Sequence, residues 1–563
     1  MVHKRWRWML AALLGFSLVA AACSKDTSSD KGSGSATTEK VDVPKGGTLT
    51  IGAEQEPDCT DWIASCAGSS WGYWMMNVTT MPRAYENTWD GSTADYKATA
   101  LLDGEPKLET SPKQVVTYKL NPKFTWNDGT PVTSADFKYT WDQIANGEDI
   151  YDTTGYSQIE SVDASSPETA VVTYKTPYAG WKALFGGGYG ILPSHLLEGK
   201  DRAAIMKDGY TFSAGPWIID KWEKGVSVTL VPNPKFDGTK PSLDKVVFKF
   251  LTDTAAGFQA IKANEVAMLY PQPQLDAVEQ ISAGTLTDIN SKVNDKTGNI
   301  EALWMNNAKP PLDSVAVRQA IAYSLDRNAI VKKLFGGIGV DQAAQALEPA
   351  LVAQYTDMEA FKGYTKNLDK VKSLMEGDGW KKGADGIWAK GGQKATVEIK
   401  STSGNARREL TEQIVQQQMK EAGFELTIAN QKAGDLFGQQ LPAGEFQLAL
   451  YAQVLTTLEP GVCTLFCSKN IPTDANGNVG QNWTRTDIPA IDSDLEQVDT
   501  QLDQAKREAA GKTSMQGLAK EVASLPLDPL PNILLWSKKV VGNVQDNPVM
   551  GPFYYANTWG VKQ

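Results

Sequence analysis

Residues 118–137 read YKLNPKFTWNDGTPVTSADF, a segment that combines a turn with the start of a helix. The tripeptide Asn127-Asp128-Gly129 is typical of a turn that needs left-handed backbone. Thr133 or Ser134 can cap the helix that Asp136 begins. The segment therefore predicts a tight turn that leads directly into a capped helix.

Strand and helix patterns alternate elsewhere in the chain. Residues Thr48–Ile51 alternate between polar and apolar, as strands do. Near the middle, Thr396–Ile399 predicts a strand, Arg407–Ala422 predicts a helix that Gly423 ends, and Phe424–Ile428 predicts a second strand. Such a β-α-β unit requires parallel strands. The fold class expected is therefore α/β.

One long helix is expected near the C-terminus, over Asp494–Ala523. Its apolar residues recur at helical spacing and are expected to face the core: Leu495, Val498, Leu502, Ala505 and Ala509. This stripe predicts a single uninterrupted helix.

Length and composition narrow the class of protein. The chain has 563 residues, of which 41% are hydrophobic and 21% are charged, as in ordinary globular proteins. Since single cores stop growing at about 250 to 300 residues, at least two lobes are expected. A net charge of -11 and only two histidines, His3 and His195, argue against nucleic acid and against sites that need two histidines. No phosphate loop, GxGxxG, HExxH or complete EF-hand motif occurs, so we expect no cofactor and no metal.

Residues 1–22 are expected to be a signal peptide. Three cations within residues 4–7 precede the apolar run Trp8–Ala22, which ends in small residues. Cys23 follows at once, and Val19–Cys23 resembles a bacterial lipobox, in which the cysteine is lipidated and becomes the new N-terminus. Simple cleavage and secretion is the alternative.

Residues 23–45 are expected to be a flexible tether that begins at the lipidated cysteine. The segment is rich in serine and threonine and has no aromatic residue, so it cannot bury enough apolar surface to fold. A lipid anchor followed by a solvated tether would hold the folded body outside the membrane without spanning it. The expected location is therefore extracytoplasmic, at the cell membrane.

Four cysteines follow the anchor: Cys59, Cys66, Cys463 and Cys467. An even number of cysteines in an exported chain favours disulfides. Three pairings are possible, and proximity in sequence favours Cys59 with Cys66 and Cys463 with Cys467. A four-cysteine zinc site is the alternative, but only one of these pairs has the usual knuckle spacing.

Whole segments of the chain resemble a known family, the peptide and nickel class (family 5) of extracytoplasmic solute-binding proteins of ABC importers. Residues 118–137 are similar to the long signature of that family. Ser213–Trp217 resembles its G-T-G-P-Y segment, and Pro310–Arg327 resembles the element P-F-x-D-x-x-V-R-x-A-x-x-Y-A-x-D-R. The likeness covers nearly all of residues 46–563.

The resemblance implies a two-lobed periplasmic-binding-protein-like fold with a hinge and an additional subdomain on the first lobe. Proteins of this class perform no chemistry, so we expect no enzyme, no catalytic residue and a monomer that delivers its solute to membrane permease subunits. The expected lobes are assigned by residue as follows: lobe I, 46–75, 211–303 and 525–563; the subdomain, 76–210; and lobe II, 304–524.

The resemblance also implies that the ligand lies in the cleft between the lobes. The loop expected after the first strand, Glu54–Trp74, supplies aromatic candidates on the first lobe: Trp62, Trp71, Tyr73 and Trp74. Aromatic faces offer broad apolar contact at small entropic cost. Ordinary packing in the core is the alternative for these side chains.

The loop expected to face them from the second lobe departs from the family pattern. Peptide-binding members carry W-x-A-D-Y-x-D-P, whose first aspartate holds the terminal amine of the ligand. Here residues 453–460 read QVLTTLEP, and Thr456 stands at the aspartate position. The candidates for ligand contact in this loop are Gln453, Thr456 and Glu459. Glu459 could replace the aspartate if the loop follows a different path.

An oligopeptide is the favoured ligand, because it is the commonest cargo of the family. The loss of the aspartate leaves an oligosaccharide or another non-peptide solute as the alternative. Nickel is disfavoured, since His195 is the only histidine after the signal peptide. Two alternatives of other classes are a surface sensor or adhesin on the same fold and a secreted hydrolase that uses paired carboxylates.

The lipid anchor can be tested by removing the cysteine thiol that would accept the lipid. The variant Cys23→Ala should leave the membrane fraction and appear in the soluble extracytoplasmic fraction, because it lacks the thiol that is acylated. Fractionation followed by immunoblotting measures this. Retention of the variant in the membrane fraction would contradict the prediction.

Overall fold

The computed structural model describes residues 42–67, 69–91, 93–150, 152–473 and 480–562. The predicted signal peptide, the lipidation site at Cys23 and the tether up to residue 41 lie outside the described residues. In the described part of the chain, no helix is long and apolar enough to cross a membrane.

A seven-stranded mixed sheet forms the first lobe. At its centre the first strand, Thr48–Ala53, runs parallel to Lys245–Phe250, with Ile51 opposite Phe248. Apolar side chains of both strands are fully buried, which fixes the register because a one-residue shift would turn them to the other face. The strands in spatial order are Ile289–Asn294, Asn532–Ser537, Met268–Leu269, Thr48–Ala53, Lys245–Phe250, Ser227–Pro232 and Trp217–Glu223.

A five-stranded sheet forms the second lobe and contains the predicted β-α-β unit. Thr396–Lys400 pairs in parallel with Glu425–Ile428 through the helix Ala406–Ala422, so this prediction is confirmed. Gly423 ends the helix with a φ of 100°, in the left-handed region that glycine favours. The strands in spatial order are Glu425–Ile428, Thr396–Lys400, Leu448–Val454, Asn299–Met305 and Ser524–Asp528.

The chain passes between these two sheets at two neighbouring places among the described residues. It leaves the first sheet after Asn294 and enters the second at Asn299, and it returns between Asp528 and Asn532. The two crossovers are hydrogen-bonded to each other: Thr297 Oγ1 donates to the Leu530 carbonyl at 3.2 Å. They therefore form one compact hinge. The predicted lobe boundaries at 303–304 and 524–525 fall within second-sheet strands, and the division by residue remains a prediction.

The subdomain carries the turn and helix read from residues 118–137. Gly129 has a φ of 95°, as the turn requires. Thr133 caps the helix Ser134–Asn146 in a capping box with Asp136, whose carboxylate also accepts the amide and hydroxyl of Ser194 at 2.7 Å each. A four-stranded antiparallel sheet lies beside this helix, in the order Lys107–Glu109, Val115–Lys119, Thr169–Tyr174 and Ile159–Ser166.

Separate hydrophobic cores support the two lobes. One joins the first sheet and the subdomain, and its fully buried members include Trp126 and Trp217. The other fills the second lobe around Trp304 and the strands beside it. Because each sheet buries its own apolar face, the lobes can shift relative to each other without exposing either core.

The helices of the described residues are short or of medium length. Those of at least five residues with α geometry are Ser134–Asn146, Arg202–Met206, Thr254–Lys262, Leu275–Ser282, Val315–Ser324, Arg327–Phe335, Leu368–Gly377, Ala406–Ala422, Val462–Phe466, Pro489–Thr500 and Gln504–Glu521. Three further strand groups are small: Tyr85–Trp89 with Ala94–Ala98; Lys381–Lys382, Trp388–Lys390 and Gln393–Lys394; and Val540–Gly542 with Trp559–Val561.

The prediction of one helix over Asp494–Ala523 is wrong. The structure has two helices, and the second is started by Asp503, whose side chain accepts the Lys506 amide. This break shifts the helical phase, so Ala505 and Ala509 are exposed while Arg507 is buried. The N-cap preference of aspartate outweighs the continuous apolar spacing here.

Both predicted disulfides are present: Cys59 pairs with Cys66, and Cys463 pairs with Cys467. The first closes a loop after the opening strand of the first lobe. The second lies within and just after the short helix Val462–Phe466. Each disulfide therefore restrains a local segment rather than joining distant parts of the chain.

A buried ionic cluster fixes the helix Ala406–Ala422 against the hinge-side strand of the second lobe. Glu301 is fully buried and is bound by both Arg407 and Arg408. Burial alone would raise the pKa of Glu301, but the two guanidinium groups outweigh it and lower the pKa. Asp528, opposite Glu301 in the sheet, has its pKa raised by burial and by Glu301 itself.

Candidate ligand-binding cleft

The loops at the ends of the parallel strands of both sheets are the candidates for lining the cleft. In open α/β sheets, ligands bind outside the carboxyl ends of the strands. On the first lobe, the loops after Thr48–Ala53 and Met268–Leu269 begin at such ends, since these strands are parallel. On the second lobe, Thr396–Lys400 and Leu448–Val454 are parallel and end on one side. These loops are therefore the first place to look for ligand contacts.

A small cavity of about 30 Å³ lies where the first-lobe loops meet the hinge. It is lined by Trp74, Tyr270, Pro271, Gln272, Pro273, Asn299, Leu530, Pro531 and Asn532. The lining combines two aromatic rings with three side-chain amides, which both donate and accept hydrogen bonds. A cavity of this size holds about one water molecule, so it does not by itself enclose a ligand.

The first-lobe aromatic candidates differ in exposure. Trp62 and Trp71 have 4% and 2% of their surface exposed, and Tyr73 has 6%. Trp62 Nε1 donates to the Tyr210 hydroxyl at 2.7 Å. Trp74 is half-buried and is the one of these four that lines the cavity. Contact between ligand and any of the four remains a prediction.

The segment that carries these aromatic residues was expected to be a loop up to Trp74, but it is helical from Ser70. The helix contains a wide π-helical turn over Tyr73–Asn77, of the type often found at functional sites. Trp71 packs behind Trp74, with ring centroids 5.8 Å apart, and Tyr270 meets Trp74 edge-on at 5.3 Å. Trp74 is thus held by aromatic neighbours on two sides.

Gly551 fixes the position of Trp74 from a third side. Its φ is 89°, and a Cβ atom added there would lie 2.1 Å from Cδ1 of Trp74. Only glycine allows both this backbone conformation and this close approach. The side chain of Trp74 is therefore oriented by the fold before any ligand binds.

The second-lobe candidates occupy the end of a strand and the loop after it. Gln453 is half-buried and lies opposite Ile300 in the sheet. Thr456 is exposed, and its hydroxyl oxygen lies 3.8 Å from where a Cβ of Gly188 would stand. Gly188 belongs to a glycine-rich segment of the first lobe, so Thr456 faces the opposite lobe at close range.

Glu459 is engaged by protein side chains on both oxygens. Arg507 Nη2 donates to Oε2 at 2.7 Å, and the Tyr96 hydroxyl donates to Oε1 at 2.8 Å. Neither partner was identified from the sequence, because Tyr96 and Arg507 lie 363 and 48 positions from Glu459. A role of Glu459 as a ligand anchor remains a prediction and would require the exchange of one of these bonds.

Two further acids lie beneath this loop and were also missed by the sequence. Glu348 is 3% exposed, and burial raises its pKa to about 8 although the amides of Val462 and Gly461 oppose the shift. Burial likewise raises the pKa of Asp499 to about 6, against the influence of Arg507. The loop therefore rests on groups that hold protons more tightly than free carboxyl groups do.

Comparison with known proteins identifies the family. The model described as bacterial extracellular solute-binding proteins, family 5 Middle, matches residues 101–466. The chain belongs to this family. Its members serve ABC importers as solute-binding proteins, and the two-lobed α/β fold is that of family 5. The matched region includes Gln453, Thr456 and Glu459 but not the aromatic segment 62–74.

The chain is similar to proteins named for different ligands. The oligopeptide-binding protein OppA of Mycobacterium tuberculosis H37Rv is 24% identical over 559 residues, which cover 94% of this chain and 90% of the relative. Among solved structures, the periplasmic EDTA-binding protein EppA has a TM-score of 0.81 at 22% identity, with 94% of this chain and 100% of EppA covered. AppA of Bacillus subtilis, in complex with a nonapeptide, has a TM-score of 0.75 at 20% identity, with 93% and 100% covered. These structures show the shared fold.

The raised pKa of Glu348 predicts a stability that depends on pH. The unfolded chain releases this proton at a pH near the ordinary value of 4.5, whereas the folded chain keeps it up to about pH 8. The folded state therefore binds more protons in this window, and the free energy of unfolding falls as pH rises through it. The variant Glu348→Gln has no group that titrates at this position. The difference in the free energy of unfolding, variant minus parent, should therefore be several kcal/mol larger at pH 9 than at pH 5.

Chemical denaturation at both pH values measures the effect. The exposed Glu359→Gln is the matched control and should show nearly the same difference from the parent at pH 5 and pH 9. An identical pH profile for Glu348→Gln and the parent would contradict the prediction.

Proposed function

We propose that this protein is a lipid-anchored oligopeptide-binding protein that delivers its ligand to the permease of an ABC importer. The similarity to OppA carries the proposal, because it extends over 94% of this chain and is not confined to one lobe. The complex of AppA with a nonapeptide adds support, since AppA has the same fold. The anchor at Cys23 and a monomeric state are parts of this proposal.

The hinge provides the means of capture. Two adjacent crossovers join the lobes, so rotation about them can open and close the cleft. A ligand that contacts both lobes binds the closed state better than the open state, and this difference is what shifts the equilibrium. Delivery then requires only that the permease favour the open state.

We assign the first ligand contacts to Trp74, Gln453 and Thr456. Trp74 is half-buried and preoriented, and Thr456 is exposed on the opposite lobe. Trp71 supports Trp74 from behind, and Trp62 and Tyr73 nearby have little exposed surface. The amide of Gln272 lines the adjacent cavity and suits the backbone of a bound peptide.

A non-peptide solute is the second candidate, and the neutral side chain of Thr456 is the observation that favours it. A buried ammonium group without an anionic partner is costly. A neutral or blocked ligand would not incur that cost at this position. EppA, named for EDTA, belongs to the same fold and illustrates such a ligand.

Calorimetry with matched peptides tests how the ligand terminus is recognised. N-acetylated peptides should bind at least as well as the same peptides with a free amine, because Thr456 offers no charge-assisted hydrogen bond. The variant Thr456→Asp should favour the free-amine form by about tenfold or more, as one such bond contributes about 1.5 to 3 kcal/mol. The exposed Thr365→Asp adds the same charge elsewhere on the second lobe and should leave the ratio unchanged.

Two outcomes would contradict parts of this proposal. Failure of every tested peptide to bind, with a folded protein, would favour the non-peptide candidate. A strong preference of the unmodified protein for free amines that disappears in Glu459→Gln would show that Glu459, and not the position of Thr456, holds the terminus.

A further inference from the structure

Glu459 connects the two lobes through its two oxygens. The Arg507 partner of Oε2 lies in the second-lobe helix Gln504–Glu521. The Tyr96 partner of Oε1 lies in the hairpin Tyr85–Trp89 and Ala94–Ala98. This hairpin belongs to the first lobe, because Tyr85 is part of the first-lobe core and its ring meets that of Tyr96 at 6.0 Å.

Arg507 holds Glu459 in place whether or not Tyr96 is present. Its side chain is 5% exposed and that of Glu459 is 12% exposed. Arg507 Nε also donates to the Val498 carbonyl at 2.6 Å, and its guanidinium lies 4.5 Å from the centre of the Tyr355 ring. If the lobes separate, the carboxylate keeps its counter-ion, so loss of the Tyr96 hydrogen bond leaves no buried charge unpaired.

Two further close contacts between the lobes lie beside the Tyr96–Glu459 hydrogen bond. The Ala179 amide of the first lobe donates to the Asp499 carbonyl of the second lobe at 2.7 Å. Gly180 is buried, and a Cβ added to it would lie 2.9 Å from Oε2 of Glu459. Any larger residue at position 180 would therefore push the Glu459 loop away from the first lobe.

An apolar contact completes the junction. Trp89 and Val549 of the first lobe pack with Leu351 and Leu458 of the second, and each of these four is less than 9% exposed. The Tyr96 ring packs against the same cluster. The Tyr96–Glu459 bond is thereby partly shielded from solvent, which strengthens it relative to a fully exposed hydrogen bond.

We propose that Tyr96, Glu459 and Arg507 form an interlobe latch that stabilises the closed arrangement independently of the ligand. The latch rests on the proposed function in one respect only, the opening and closing of the lobes. It does not depend on the identity of the solute. By holding the closed state, the latch raises the fraction of molecules that are closed before the ligand arrives and slows opening for release. Glu459 is then a positioning residue for closure.

The closing equilibrium can be measured without any ligand. The full-length protein is unfolded in denaturant, dialysed free of bound solute and refolded with its disulfides intact. Dyes on cysteines introduced at the exposed Lys123 and Lys362 report the distance between the lobes by single-molecule energy transfer. We expect Tyr96→Phe to lower the ratio of closed to open molecules by about tenfold, the effect of losing one hydrogen bond to a charged group.

Tyr118→Phe is the matched control, because Tyr118 is fully buried in the same lobe and its hydroxyl has no hydrogen-bond partner among the described residues. It should leave the ratio unchanged. Gly180→Ala should also open the lobes, by steric contact with Glu459, and it provides a second route if Tyr96→Phe does not fold. An unchanged ratio in whichever of these variants folds would overturn the latch. Since no peptide is present, failure of peptide binding would not affect the result.

Discussion

The hinge formed by the two crossovers is the constraint on which the rest of the structure depends. The chain passes between the sheets before Asn299 and after Asp528. The crossovers are tied by the Thr297 hydroxyl and by Asn299 Nδ2, which donates to Asn532 Oδ1 at 3.0 Å. Each lobe completes its own sheet and core on either side. Relative motion is therefore concentrated at this hinge, and the loops at the strand ends approach or separate as it turns.

Signals from residues close together in the sequence were enough to predict much of the fold. The turn at Gly129, the capping box at Thr133 and the β-α-β unit around residues 396–428 depend on residues close in sequence. Both disulfides join cysteines that are at most 7 positions apart. The helix predicted over residues 494–523 failed because an apolar spacing cannot show that Asp503 starts a new helix in another phase. Capping competes with periodicity at such a point.

The site could be predicted only in part, because its geometry depends on contacts between distant residues. The aromatic segment after the first strand was recognised, yet sequence alone could not distinguish the half-buried Trp74 from the buried Trp71 behind it. Tyr270 and Gln272 were missed, although they follow a short parallel strand, a position that itself indicates a cleft loop. The junction of Tyr96 with Glu459 has no local signal at all.

The central claim is that the cleft between these lobes holds an oligopeptide, and the solute that the protein retains tests it most directly. The protein is purified from the cells that produce it, denatured, and the released material is analysed by mass spectrometry with fragmentation. We expect peptide fragment series in an amount stoichiometric with the protein. A stoichiometric saccharide, metal chelate or other non-peptide solute, with no peptide series, would contradict the claim.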